Sequence, residues 1–402
     1  MEAPLSGIKV LEVANFLVVP SAGALMADMG ADVVKVEPPG GDPYRQRLAV
    51  ADFNFDFALS YGFELDNRGK RSIVLDLKKI EAQDVVRKLA EKVDVFLTNL
   101  LPRRQERYRL RYRDLSPLNP GLVYLSFSGY GSQGPEKDRP GFDYTAFWTR
   151  SGAMSLLSDP DQAPAQLRPG FGDHASSPLL LAGVLAALLL RERTGKGQEV
   201  SASLLNMGLW VIGSDVQRSL VSQSEPRYYR RTTETNPLRN TYLTKDNRWI
   251  NIVMLNREDA WTDTCKAVGR EDLVTDPRYG TPSDRAENCE HLIRELDEAF
   301  ASMTLEEMAP RLDAHKVIWA PKTTVVEALA DPQVESNGYF TTVEHPTYGP
   351  YKTLDTPLRF SHSEVGAKGA APEVGQHTEQ VLLEFGYSRD DIAHLRAAGA
   401  IN

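Results

Sequence analysis

The stretch Arg168–Leu205, RPGFGDHASSPLLLAGVLAALLLRERTGKGQEVSASLL, places one acidic residue, Asp173, in a glycine-rich turn ahead of a long apolar run. The pattern predicts a helix through Leu179–Leu190, with Ser177 as its N-cap and Pro178 at the first helical position. Thr194–Gln198, with two glycines, ends it. Twelve apolar residues are too few to cross a bilayer, so a buried core helix is expected. A carboxylate just before a helix N-terminus is favoured in its charged form by the macrodipole and the free amides. Ionised near neutral pH, it needs no general base to act as a nucleophile. The same pattern also suits a plain turn or capping aspartate. His174 invites an acid/base pairing with Asp173, but adjacent side chains point in different directions, and a helix-start histidine is the simpler reading.

Other chemistries find little support. The seven histidines are scattered without metal-ligand spacing, so no metal site is expected. No G-x-S-x-G elbow is present to support a serine triad. The 402 residues carry a formal net charge of −9, which argues against a nucleic-acid surface. A local basic cluster, Arg103–Arg113 (RRQERYRLRYR), suits either a solvated helix face or a phosphate or carboxylate site. Two cysteines, Cys265 and Cys289, suggest a reducing compartment and no disulfide framework. The opening MEAPLSGIKVLEV has none of the parts of a signal peptide, so a cytoplasmic location without membrane attachment is expected.

Positioning such a site falls to alternating strands and helices. Ile8–Val13 and Ala31–Val36 are short apolar runs flanking a helical Pro20–Met29, a βαβ unit that implies a parallel sheet. The loop Ala14–Val19 lacks the G-x-G-x-x-G of a dinucleotide site, which argues against an NAD enzyme. A helix over Asp84–Lys92 and strands at Val93–Leu97 and Leu122–Ser128 follow, the last running into the glycine loop Gly129–Gly134. Ligands of open α/β sheets bind beyond the carboxyl ends of strands, where Asn15, Asn99 and Gly129 fall. A helix-like stretch is expected over Leu205–Ser224, then a polar boundary segment, Gln223–Arg239. Beyond it lie a hairpin in Thr241–Val253 around Asp246-Asn247 and helices over Arg257–Val268, Ala286–Phe300 and Leu305–His315. The fold class is α/β: a large domain with a Rossmann-like parallel sheet plus a smaller α+β domain. The expected division is 1–222, 223–325 as the small domain, and 326–402 as a return to the large one.

Six blocks of sequence, in order, carry a resemblance. They are Gly7–Glu37, Asn67–Lys78 (NRGKRSIVLDLK), Thr98-Asn99-Leu100, Tyr124–Pro135 (YLSFSGYGSQGP), the Asp173 stretch, and Ala371–Gly386 (APEVGQHTEQVLLEFG) as a closing helix. Together they resemble the class III CoA-transferases, of the formyl-CoA transferase and carnitine CoA-transferase type. The resemblance implies that Asp173 is the catalytic nucleophile. It implies CoA contacts at Asn15, Phe16, Leu75, Lys78, Asn99 and Leu100, with Arg107 near the phosphates and Arg71 as a further candidate. The substrates implied are an acyl-CoA and a carboxylic acid, with no tightly bound cofactor. An aspartyl-acyl anhydride and an aspartyl-CoA thioester would form on Asp173, and amides around Gly172 and Gly129–Gly134 are candidates to hold the oxyanion. The resemblance also implies an interlocked homodimer.

The departures bear on substrate. Leu100-Leu101-Pro102-Arg103 replaces the family's Phe-x-Pro-Gly, and Pro38-Pro39 replaces an arginine of some members. Leu17 replaces a polar residue, and Val221–Tyr242 has no glycine run. These favour an apolar acyl group or a larger organic acid over oxalate. An α-methylacyl-CoA racemase is the alternative, but that branch has histidine where this chain has Phe142 in Gly141-Phe142-Asp143-Tyr144. A catalytically silent CoA-binding protein is the third reading.

Overall fold

The computed structural model describes residues 2–49, 60–255 and 259–402. Near-continuous apolar runs along short central strands give a sheet buried on both faces. Its strands are β1 (Lys9–Val13), β2 (Asp32–Glu37), β3 (Arg71–Val74), β4 (Val95–Thr98), β5 (Val123–Ser128) and β6 (Glu199–Ser203). All pairings are parallel, in the order β3-β2-β1-β4-β5-β6. The order reverses between β1 and β4, where Val10 stands opposite Val95 and Leu11 opposite Phe96. Successive strand residues point to opposite faces. Val10, Val33, Val95, Val123 and Leu125 join one apolar core, and Leu11, Val34, Ile73, Phe96 and Tyr124 join the other.

Helices cover both faces. In chain order they are α1 (Val18–Asp28), α2 (Tyr61–Asn67), α3 (Ile80–Ala90), α4 (Pro102–Tyr108), α5 (Tyr112–Leu115), α6 (Ala153–Leu157), α7 (Phe171–Thr194), α8 (Leu204–Val211) and α9 (Gly213–Ser222). The α1 and α7 helices pack into the first core, and α3 into the second. A π-helical turn spans Asp143–Thr149. The helix-like stretch Leu205–Ser224 forms two helices that divide at Ile212, next to Gly213, where helix propensity is low.

The chain divides into two compact units, 1–224 with 337–402 and 225–336. In the second, β7 (Arg239–Leu243), β8 (Trp249–Val253) and β9 (Trp319–Pro321) form an antiparallel sheet. Its main helices are α10 (Ala260–Val268), α11 (Cys289–Ala301) and α12 (Leu305–Ala314), whose apolar faces meet Tyr242, Ile250 and Ile252. Arg257, expected to open the first of these, lies outside the described residues. The return segment supplies an unforeseen hairpin, β10 (Phe340–His345) and β11 (Gly349–Leu354), then α13 (Thr378–Glu384) and α14 (Arg389–Ala397). The closing helix is thus shorter than Ala371–Gly386. The residues before it run along β3 instead: the His377 amide donates to the Ser72 carbonyl at 2.9 Å, and the Val74 amide to Thr378 Oγ1 at 3.1 Å. They cover an edge that would otherwise expose unpaired backbone.

Candidate active site

The helix carrying Asp173 starts earlier than the local pattern suggests. It begins at Phe171, so Asp173 lies inside its first turn and Pro178 within the helix. Ser177 is therefore not the N-cap. Gly170 holds that position with φ +82°, and its amide donates to Oδ2 of the buried Asp143 at 2.8 Å. A Cβ on Gly170 would come within 2.8 Å of Leu17, and one on Gly172 within 2.7 Å of the Phe147 ring. Both glycines permit the close approach that fixes where Asp173 emerges. Pro178 removes one intrahelical bond, but the Ser177 hydroxyl reaches back to the Asp173 carbonyl at 2.9 Å and across to the Val18 carbonyl at 2.8 Å. At 24 residues the helix is long and apolar enough to cross a bilayer, so the length argument against spanning fails. A stripe at helical spacing, from Ser176 and Ser177 through Leu180, Val184 and Leu188, is nevertheless buried in unit 1.

Half-buried Asp173 lines a cavity of about 180 Å³ beyond the carboxyl ends of β1, β4 and β5. Asn15 and Asn99 bridge the loops after β1 and β4. The Asn15 amide donates to Asn99 Oδ1 at 3.1 Å, and Asn99 Nδ2 donates to the Asn15 carbonyl at 2.7 Å. The next residue, Phe16, adopts φ +65°, a strained choice for a bulky side chain. Its amide donates to Asp42 Oδ1 at 3.1 Å. Asp42 is itself ion-paired at 2.9 Å to Lys35, which also pairs with Glu12 at 3.0 Å; all three side chains are fully buried. Lys70 pairs with the other Glu12 oxygen at 2.8 Å. Burial would raise the Glu12 carboxyl, but Lys70 and Lys35 outweigh it and hold it below the usual carboxylate range. Buried charges survive only when paired in this way, and removing one partner would leave another stranded. This network fixes the loop that presents Phe16, whose ring meets Phe142 edge-on at 5.4 Å across the cavity rim.

A second cavity, of about 270 Å³, is walled by Leu75, Lys78, Pro43 and Tyr108. The two share Asn15, Leu100 and Arg104 as walls, so they adjoin. Seven of the residues singled out from sequence line this pair: Asn15, Phe16, Leu75, Lys78, Asn99, Leu100 and Asp173. Arg107 and Arg71 line neither. Arg107 is exposed on α4, and Arg104, one turn earlier on that helix, faces both cavities. Arg71 is engaged with Asp32 and Glu384, each at 2.6 Å. Of the glycine loop Gly129–Gly134, only Gly129 lines the cavity. Sequence reasoning left out Arg104, Asp143 and Asp42. The first lay unresolved within the basic cluster, and the other two act through contacts 27 and 26 residues away, which no local pattern carries.

The arrangement suits an elongated ligand with an electrophilic end. A carboxylate stands at one end of a groove, an arginine at its middle and a lysine at the other. Known proteins fit that outline. The model of CoA-transferase family III matches residues 5–378. The chain is 30% identical to (R)-2-hydroxy-4-methylpentanoate CoA-transferase of Clostridioides difficile, over 98% of each chain. It is also 30% identical to cinnamoyl-CoA:phenyllactate CoA-transferase of Clostridium sporogenes, over 97% of this chain and 95% of that one. To formyl-CoA:oxalate CoA-transferase of Escherichia coli O157:H7 it is 30% identical, over the full length of both. Among solved structures, a CAIB/BAIF family protein from Brucella suis aligns with a TM-score of 0.83 at 28% identity, covering 96% of this chain and 100% of that one. The chain belongs to CoA-transferase family III and is an enzyme of that class.

Proposed function

We propose that the enzyme moves CoA between carboxylic acids through covalent intermediates on Asp173. The Asp173 carboxylate attacks the acyl-CoA thioester carbonyl, forming an aspartyl-acyl anhydride as the C–S bond breaks and CoA thiolate leaves with the electron pair. The thiolate attacks the aspartyl carbonyl of the anhydride, giving an aspartyl-CoA thioester and releasing the first acid as its carboxylate. An acceptor carboxylate attacks that thioester and the steps run in reverse. Thioester energy is conserved throughout, so no nucleotide triphosphate is consumed. The observation that carries this reading is the adjoining of two cavities, one lined by Asp173 and the other by Leu75 and Lys78, across the shared walls Asn15, Leu100 and Arg104. It matches a thioester at one end and an adenosine phosphate at the other, with Arg104 the cation best set for the bridging pyrophosphate. The Gly129 loop is the candidate oxyanion donor.

Phe16, Leu17, Phe127, Phe142 and Leu204 make the thioester end apolar. That supports a branched or aromatic acid, of the kind named in the two clostridial relatives, over formate or oxalate. Racemisation needs a second proton carrier across the α-carbon. Asp173 is the one carboxylate among the described residues lining the thioester cavity, Glu37 and Asp76 lining only the second, and phenylalanine occupies position 142. An interlocked homodimer and a cytoplasmic location complete the proposal by resemblance to the family.

Mass spectrometry of the protein after incubation with acetyl-, succinyl- and cinnamoyl-CoA tests it, beside Asp173→Ala. An acyl or CoA adduct on the Asp173 peptide, absent from the variant, is the expected result. No adduct, together with α-proton exchange in deuterated water, would replace transfer by racemisation. CoA binding with neither signal would favour a silent binder.

A further inference from the structure

His174 stands one residue from Asp173 but lines a different cavity, of about 350 Å³, which shares no wall with the groove. Its ring Nε2 lies 3.0 Å from Oδ1 of Asp66, on α2. Asp66 is 1% exposed, and its other oxygen, Oδ2, has no hydrogen-bond partner among the described residues. A buried carboxylate short of donors is costly, and a charged imidazole is the donor that best relieves it. Lys70, whose buried ammonium also acts on Asp66, is committed to Glu12 at 2.8 Å, and the charges facing the ring do not compete. Arg68, just after α2, is committed to Asp28 on α1 at 2.6 Å. Asp355, in the return segment, is paired with Arg359 at 2.8 Å. Asp143, from the π-helical turn, and Asp173 itself add further negative charge. The side chain is 44% exposed; its partial burial would lower the basicity of His174, but Asp66, helped by Asp173 and Asp143, raises it above the usual imidazole value.

We propose that His174 is a positioning residue for transfer at Asp173: held by Asp66, it ties the first turn of α7 to α2 and sets its imidazole beside the nucleophile, on the side away from the thioester. This rests on the nucleophilic role given to Asp173 above. Acylation turns the anionic aspartate into a neutral anhydride or thioester. The imidazolium then loses a charge that held its proton, and a fraction of a proton passes to solvent for each acylation, returning when the carboxylate is regenerated. Because the charge lies away from the groove, it stabilises the Asp173 carboxylate more than the departing thiolate. Attack on the thioester is therefore faster with the ring neutral, and expulsion of Asp173 faster with it charged.

Two experiments test this. Histidine NMR titration of the full chain, with His174 assigned from His174→Gln, compares wild type with Asp173→Asn and Asp66→Asn. The His174 midpoint should fall by several tenths of a pH unit in Asp173→Asn and further in Asp66→Asn. A change of less than about 0.1 unit in Asp173→Asn would overturn the coupling. This titration needs no acyl-CoA, so it stands whatever happens to the transferase reading. In the second experiment, adduct formation on Asp173 is timed with acetyl-, succinyl- and cinnamoyl-CoA between about pH 5.5 and 8.5. The wild-type rate should rise about three- to tenfold through the His174 midpoint, and His174→Gln should lose that rise. A rise that persists in His174→Gln sinks the proposal. Failure of every acyl-CoA to label wild type would sink the transferase reading instead, leaving the titration to decide the electrostatics.

Discussion

Asp143→Asn keeps the shape of a side chain that is 3% exposed and changes what its ends can accept. In the native protein Oδ2 accepts the Gly170 amide and Oδ1 the Tyr144 amide, each at 2.8 Å. Asparagine offers one carbonyl oxygen and one amino group, so in either orientation one backbone N–H faces another N–H. The lost charge-assisted bond and the stranded donor together cost about 2 kcal/mol. The cheaper orientation keeps the neighbouring Tyr144 amide and abandons Gly170. The start of α7 then loses its tether, three residues before Asp173. A nucleophile misplaced by about 1 Å loses roughly 100-fold in rate. Urea denaturation should show a folded protein weakened by about 2 kcal/mol, and adduct formation on Asp173 should slow roughly 100-fold. CoA affinity should stay within about twofold, because Asp143 lines neither cavity of the groove. Wild-type acylation by Asp143→Asn would refute the tether, as would CoA affinity falling in step with acylation.

Two further outcomes follow from other parts of the site. Arg104→Ala should raise the KM for acyl-CoA about tenfold or more with kcat little changed, while Arg107→Ala should stay within about twofold; equal effects in steady-state kinetics would contradict the assignment of the phosphate cation to Arg104. Glu37, which burial would raise, is held below the usual carboxylate range by Arg45 and Lys35, with Ser72 also donating to it. A carboxylate depressed in the folded state stabilises fully above its unfolded value, about 4.5, and that contribution is lost as pH falls through the folded value. Urea midpoints should therefore decline below about pH 4.5, and less steeply in Glu37→Gln; an equal slope in both would remove Glu37 from the account.

The parallel sheet was legible because β1, β2, β4 and β5 are apolar on both faces and read as continuous runs. β3 has only four residues, RSIV, and β6, EVSAS, is a polar strand at the sheet's end, so neither announces itself. The β10–β11 hairpin alternates weakly and stays partly exposed, which gives it little hydrophobic signal. Asp173 stood out as a carboxylate among glycines. The start of its helix did not, because Ser177-Pro178 is a sound local cap signal overridden by the tertiary bond from Gly170 to Asp143. Within RRQERYRLRYR, composition could not say which arginine faces the groove. The structure decides it: Arg104 lines both cavities and Arg107 neither.

The coverage of the β3 edge by residues near 377 has a consequence for how the protein is made. A ribosome delivers β1 to β6 long before that strap exists, and it delivers the whole of residues 225–336 in between. The nascent sheet therefore waits, with an open edge, while an inserted unit with its own core can already fold. Contacts such as the Ala371 amide on Glu64, 307 residues apart, close only after the inserted unit has been made. Arrival of the strap, rather than completion of the sheet strands, is then the moment at which the β3 edge ceases to need protection from pairing with a neighbour.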